Sequence, residues 1–442
     1  MAEAFSDQRR IESETIRKVG IRLVPFLVVC YFIAYVDRVN VGFAALTMNK
    51  DLGLTATAFG TGAALFFVAY VIFEVPSNLA LERFGARRWI ARIMISWGLV
   101  GLGSAFVTGA VTFSIARFLL GAAEAGFFPG VILYLTYWFP KAYRARIVAM
   151  FMVAIPVSSF LGSPLSAALL TLDGVGGLRG WQWLLICESI PALLLGLATL
   201  VVLPSRPAEA QFLTSEQKAW LEGCLEAERR AASAGHSGHG SVWSVLTNKQ
   251  VWLLAVIYSG SSATSNALSL WMPQILKSFG LSNLETGLLN MIPFGIASVF
   301  MIFWGLRADK SGERIWSTAL PLALTSLSLA LTLLTGSLTM TLVLLSLVLL
   351  GNYSIKGPFF ALVTETLSPA QAAAGIAAIN TLAHLGTGAI TSLIGVLREQ
   401  SGSFPVALLP LCVLTAVGCA LVFWIGRDRI RASVAVAPAP AR

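Results

Sequence analysis

The chain has 442 residues, of which 56% are hydrophobic and only 12% charged, with a formal net charge of +9. Soluble domains carry about 25% charged residues, so this composition excludes an ordinary soluble domain and indicates a chain that crosses a membrane many times. The basic excess would suggest nucleic acid in a soluble protein, but the placement of the Lys and Arg residues removes that reading.

The first 20 residues are polar and charged, without the apolar core of a cleavable signal peptide, and read as a cytoplasmic segment, 1–20. Apolar runs then predict twelve spans, near 21–43, 57–80, 89–108, 111–138, 145–170, 183–203, 249–273, 283–306, 315–336, 339–364, 370–396 and 404–426. They divide into two bundles of six, 21–203 and 249–426, followed by a cytoplasmic tail, 427–442. The long connection 204–248 is read as a cytoplasmic linker. It opens on Pro204-Ser-Arg-Pro207, and its stretch Thr214–Arg230 is expected to be helical, with Thr214 as N-cap and Gln217 at N3. It closes in a glycine-rich run carrying His236 and His239. Nothing rigid holds these two histidines, so the run is read as solvated linker and no metal site is expected. The five cysteines lack metal-ligand spacing, and four lie in apolar segments as small hydrophobes.

On this layout 24 Lys and Arg residues fall at the ends and loops of one side, including Arg83, Arg87, Lys310 and Arg314, and four fall on the other: Lys50, Arg179, Lys277 and Arg398. The excess marks the cytoplasmic face and puts both termini there. The remaining three, Arg38, Arg117 and Lys356, lie within spans.

Charge inside hydrocarbon costs about 2.5–3.5 kcal/mol on insertion scales, so such residues usually face a cavity. Span 1 carries Asp37 and Arg38 side by side. Tyr31, Tyr35, Arg38 and Gly42 share one helical face, and Asp37 stands about 100° round from Arg38. On span 4, Arg117 and Glu124 are seven apart, two turns or about 10.5 Å along the axis, and Pro129 is expected to bend or interrupt the helix beyond them. Arginine suits a carboxylate substrate, because it stays charged and offers a bidentate fork. An acid suits proton coupling: burial favours its neutral form, and a nearby arginine its charged form. Asp37 and Glu124 are therefore the expected proton carriers. Arg38 and Arg117 are expected to face the anion or pair with the acids. Lys356 on span 10 would clamp a second carboxylate. His384 and Asn380, one turn apart on span 11, are candidates for a proton relay and a substrate hydroxyl. Glu74 and Glu188 also lie within spans.

The two halves repeat. Glu82-Arg83-Phe-Gly85-Ala-Arg87 before span 3 recurs, 227 residues on, as Asp309-Lys310-Ser-Gly312-Glu-Arg314 before span 9. Pro129 and Pro140 are spaced as Pro358 and Pro369. Gly85 and Gly312 allow tight turns. Glu82, Arg83, Arg87, Asp309, Lys310 and Arg314 are expected to gate the cytoplasmic side by making and breaking charge pairs.

Several stretches carry a specific resemblance: Tyr35-Val-Asp37-Arg38-Val-Asn40-Val-Gly42, Phe73-Glu74-Val-Pro76-Ser77-Asn78, Arg117-Phe-Leu-Leu-Gly-Ala-Ala-Glu124-Ala-Gly-Phe-Phe-Pro129-Gly, and Leu203-Pro-Ser-Arg-Pro running on to Trp220. Over about Ile21 to Gly426 the chain resembles the anion:cation symporter family of the major facilitator superfamily. The resemblance implies an all-α membrane fold of twelve transmembrane helices in two pseudo-symmetric six-helix bundles. It implies roles in proton and substrate handling for Asp37, Arg38, Arg117 and Glu124, and substrate-lining positions for Tyr35 and Tyr70. The chain departs from the family's usual pattern at Ile355-Lys356-Gly357-Pro358-Phe359-Phe360 and at Ala383-His384-Leu385-Gly386, so the resemblance does not name the substrate.

The function expected is proton-coupled symport importing an organic carboxylate by alternating access. The substrate would be an aromatic or hydroxy acid, or a dicarboxylate such as tartrate or phthalate. The alternative is export of an organic acid by proton antiport. A signalling receptor would need an output domain, for which 204–248 is too short. No phosphate loop, metal-ligand spacing or nucleophile triad indicates an enzyme or an ATP-driven pump. The expected setting is the bacterial inner membrane, as a multi-pass monomer whose partners are a small organic anion, protons and the lipid bilayer, with no cofactor.

Overall fold

A computed structural model describes residues 2–234, 247–367 and 369–436. His236 and His239 lie outside the described residues. Among the described residues all regular structure is helical. The chain separates into two compact units, one comprising Met1–Gly53 and Leu65–His239, the other Leu54–Ala64 and Gly240–Arg442.

In the first unit, α1 (Ala2–Asp51) runs unbroken from the polar N-terminal segment into the first apolar run. It starts well before the expected span because Thr15, Val19 and Leu23, four residues apart, are each fully buried along one face. That face lies against α8 (Ser215–Ala234) of the linker. Lys18 Nζ donates to Gln217 Oε1 at 3.1 Å, and Tyr143 Oη donates to Glu12 Oε1 at 2.8 Å. The capping expected for α8 is present: the backbone N of Gln217 donates to Thr214 Oγ1, and that of Thr214 to Gln217 Oε1.

α2 (Ala56–Phe84) ends at Gly85, whose φ of 87° turns the chain into α3 (Ala86–Ser104). The fourth apolar run is two helices, α4 (Ala110–Glu124) and α5 (Phe127–Thr136), followed by α6 (Lys141–Leu169) and α7 (Gly180–Val202). α3 and α7 pack closely because Gly98 lies on Leu193, Gly101 on Ser189 and Gly196 on Ile95, where small residues let backbones approach.

The break between α4 and α5 falls at Ala125 and Gly126. Ala125 is four residues before Pro129, whose ring and missing N–H disturb the carbonyl at that spacing. The chain turns there because Gly126 adopts a φ of 85°, a conformation open to glycine.

The second unit contains α9 (Lys249–Lys277), α10 (Asn283–Ser311), α11 (Arg314–Leu331), α12 (Leu338–Ser354), α13 (Lys356–Thr366), α14 (Pro369–Ser401), the short α15 (Phe404–Ala407) and α16 (Leu409–Val436). Gly312, with φ 67°, ends α10 as Gly85 ends α2. The packing pattern repeats. α1 packs on α6 and α3 on α7 in the first unit; α9 packs on α14 and α11 on α16 in the second. Pro358 likewise stands four residues after Ser354, where α12 ends. Here the junction residue is Ile355, which keeps helical angles of φ −69° and ψ −28°. A β-branched side chain does not enter the left-handed region that Gly126 uses, so the same proline produces a milder interruption.

Among the described residues ten helical segments are long and apolar enough to cross a membrane. Two of the twelve expected spans, near 89–108 and 249–273, are outside that set. They correspond to α3, whose first turns are rich in arginine, and to α9, which carries the run Ser259-Gly-Ser-Ser-Ala-Thr-Ser265. α9 is 29 residues long and nearly all buried from Ser259 to Leu276. A helix surrounded by protein does not need the apolarity of one facing lipid. Elsewhere large apolar side chains point outward, as at Val111, Val201 and Leu334, the pattern of a surface that meets hydrocarbon.

Candidate functional site

Four elements of the first unit bring the intramembrane charges together. Arg38, from α1, donates through Nε to Glu124 Oε1 at 2.7 Å, and its Nη2 also pairs with that oxygen. Glu124 is the last residue of α4, directly before the break. The Arg38 guanidinium carbon lies 4.8 Å from the Tyr35 ring centroid, 5.5 Å from Phe66 and 5.6 Å from Tyr70. The ion pair therefore sits in an aromatic cage of three rings. Tyr31 and Tyr35, one turn apart, stack edge-to-face at 4.9 Å. α2 and α4 can approach here because Gly121 lies against the Phe66 carbonyl, where a Cβ would overlap it.

Asp37 points to the other side of α1. Its Oδ1 accepts from Asn40 Nδ2 at 2.8 Å and its Oδ2 from the Trp97 indole at 3.0 Å. Arg117 acts electrostatically on both Asp37 and Glu124. Its guanidinium lies 5.7 Å from the Phe113 ring, and its Nε has no hydrogen-bond partner among the described residues. Asp37, Arg117 and Glu124 are at most 5% exposed. The expected quartet thus assembles, with a cross-helix choice of partner: Glu124 pairs with Arg38 of α1.

In the second unit Lys356, the first residue of α13, is 8% exposed. Its Nζ lies 4.5 Å from the Tyr353 ring centroid. Beside it, Asn352 Nδ2 donates to Ser265 Oγ at 2.6 Å, and Ser261 Oγ donates to the Asn352 carbonyl at 3.2 Å. Asn380 and His384 are half-buried, one turn apart on α14. Thr387, on the same helix, donates to Ser262 at 3.0 Å. α9 thus presents a polar seam to α12 and α14 through Ser261, Ser262 and Ser265, which sequence reasoning did not single out. The density of small polar residues from Ser259 to Ser265 was the available signal. Glu188, buried on α7, is the second functional candidate that sequence reasoning left unassigned.

At the α10–α11 turn, Arg314 pairs with Asp309 at 3.2 Å and with Glu365, at the end of α13, at 3.1 Å. The repeat-related Arg87 instead donates to the Leu200 carbonyl of α7. Glu82 makes no ion pair within 4 Å among the described residues, Arg83 lies over Phe84, and Lys310 is exposed.

Residues 27–391 match the family profile of the Major Facilitator Superfamily. The chain is 46% identical, over 422 residues, to a protein of Agrobacterium vitis named "Putative tartrate transporter"; the match covers 96% of this chain and 93% of that one. It is 38% identical, over 413 residues, to a quinolone resistance transporter of Acinetobacter baumannii, with 93% and 95% covered. Among solved structures, a bacterial homologue of the human lysosomal transporter Spinster superposes with a TM-score of 0.76 at 14% identity, covering 95% of this chain and 98% of the other, which shows a shared fold. The chain belongs to the major facilitator superfamily.

Proposed function

We propose that this membrane transporter imports an organic carboxylate together with protons, and that the Arg38–Glu124 pair couples the two. The observation that carries the reading is that a buried acid and a half-buried arginine share one contact inside an aromatic cage. A substrate carboxylate competes with Glu124 for Arg38, which offers a charge and a two-pronged donor. Once Arg38 turns to the substrate, Glu124 is a buried acid without its counter-charge, and such a group takes up a proton. Binding of anion and proton then favour each other. Arg117, with an unused Nε, is a second donor for the anion. Lys356 is a further buried cation proposed for substrate recognition, and a relative named for tartrate, a diacid, agrees with more than one cationic anchor. The basic residue distribution supports both termini in the cytoplasm, and bacterial relatives support the inner membrane, with the chain acting as a monomer.

The test is uptake into proteoliposomes under an imposed inward proton gradient, across a panel of organic acids, for the wild type and Glu124→Gln. The variant is expected to lose gradient-driven uptake and to keep substrate counterflow. Unchanged uptake in Glu124→Gln would remove the coupling role. The relative named for quinolone resistance favours a second reading, export by proton antiport. In that case substrate leaves loaded vesicles when protons enter, and an inward gradient does not accumulate it.

A further inference from the structure

A third acid stands behind Asp37. Glu188 of α7 is 3% exposed. Its Oε1 accepts from Ser166 Oγ of α6 at 2.7 Å, and its Oε2 has no hydrogen-bond partner among the described residues. The next residue, Ser189, is fully buried, and its Oγ is also without a partner among them. Ser189 Oγ and Asp37 Oδ1 both lie within 4 Å of the point where a Cβ at Gly101 would stand. Asn40 acts on both acids. Its amide donates to Asp37 at 2.8 Å and bears on the Glu188 carboxyl, while its own Oδ1 is unpartnered among the described residues.

The charges do not balance. Arg38 is engaged by Glu124, and Arg117 acts on Asp37 and Glu124 but not on Glu188. Among the described residues the charged group acting on Glu188 is Asp37, and Cys187 precedes it on the same helix. α3 brings Trp97 and Gly101 to this place, and its arginines lie in the first two turns, distant from both. α6 brings Ser166, with its basic residues five turns or more away at its N-terminal end. Glu74 of α2 acts on Tyr70 and is not among the groups acting on Asp37 or Glu188. Three acids face two guanidiniums, and a single proton makes the cluster neutral.

We propose that Asp37 and Glu188 form a coupled carboxyl pair that holds one exchangeable proton, so that Glu188 sets how readily the pair protonates. The proton leaves one carboxyl oxygen for the other or for water, and no other bond changes. Two buried carboxyls that act on each other titrate as a pair, so the charge on one decides when the other takes its proton. Glu188 is in this sense a positioning residue for the proton. The proposal rests on proton-coupled transport as read above.

The experiment is the pH profile of uptake in proteoliposomes for wild type, Glu188→Gln, Glu188→Asp and Ser166→Ala. Glu188→Gln removes the like charge, so the midpoint should move toward acid by about one pH unit, a tenfold higher proton concentration. Ser166→Ala removes a donor that favours the charged form of Glu188, so the midpoint should move the opposite way. Glu188→Asp should restore a profile near that of the wild type. A midpoint unmoved in Glu188→Gln, or moved the same way in all three variants, overturns the pair. Should Glu188→Gln fail to reach the membrane, the direction of the Ser166→Ala shift decides. Wild-type uptake that ignores the proton gradient would instead overturn the coupling reading itself, a separate outcome.

Discussion

Arg38 and Glu124 are 86 positions apart and joined by a 2.7 Å hydrogen bond from Nε to Oε1. The contact exists because α4 stops at Glu124, which places that carboxyl at a helix end facing α1. Buried ion pairs contribute little net stability, yet removing one partner costs about 3–5 kcal/mol, because the other charge is stranded. A substrate carboxylate can take over Arg38 without that cost only if Glu124 is neutralised at the same time. This requirement is the physical content of the coupling, and it is why Glu124→Gln, a neutral isostere, is expected to separate binding from gradient-driven accumulation.

Lys356 should discriminate diacids from monoacids. It is buried, and the contact that accompanies its ammonium is the Tyr353 ring. In Lys356→Ala a diacid such as tartrate is expected to bind at least about tenfold more weakly, the loss of one charge-assisted contact of about 1.5–3 kcal/mol, while a monocarboxylate with the same scaffold changes little. Competition of unlabelled acids against counterflow measures both. Equal losses for the two classes would contradict a dedicated second-carboxylate role.

Gly126 should tolerate no side chain. Its φ of 85° is strained for any L residue, and an added Cβ would overlap the Ser77 side chain. Gly126→Ala is expected to lower the thermal unfolding temperature of the purified protein and to reduce transport, with a penalty of about 1–3 kcal/mol from backbone strain before the clash is counted. Ile355→Ala, at the matching junction in the second half, keeps its helical angles and should lose only packing.

The site was legible in the sequence as a set of residues, and its wiring was not. Asp37, Arg38, Arg117 and Glu124 stand out because charge is rare in apolar runs. Arg117 and Glu124 share a helix face but sit about 10.5 Å apart along the axis, too far to pair with each other, so each needs a partner from another helix. Spacing cannot say which helix supplies it. Glu188 was visible as a charge within a span, yet its role depends on α7 meeting α1 and α3 through Gly101 and Ser189. Pro129 announced the break in span 4, whereas the turn itself falls three residues earlier, on the glycine that can make it. The polar seam of α9 reads locally as ordinary small-residue helix packing, and becomes a seam only when Asn352 and Thr387 reach it from other helices.

The Arg314 network should affect turnover more than stability. Arg314 joins Asp309, in the last turn of α10, to Glu365 at the end of α13. Asp309 is 76% exposed and Glu365 45% exposed, so neither pair is expected to contribute more than about 1 kcal/mol. If making and breaking these pairs accompanies the transport cycle, Arg314→Ala should alter the uptake rate several-fold while the thermal unfolding temperature stays nearly unchanged. The effect should shrink in high salt, because exposed charges are screened within about 10 Å at 0.1 M. Wild-type uptake should then drift toward the variant's rate as salt is raised. A rate change that ignores salt, or one that follows a matching loss of thermal stability, would instead make Arg314 a packing residue.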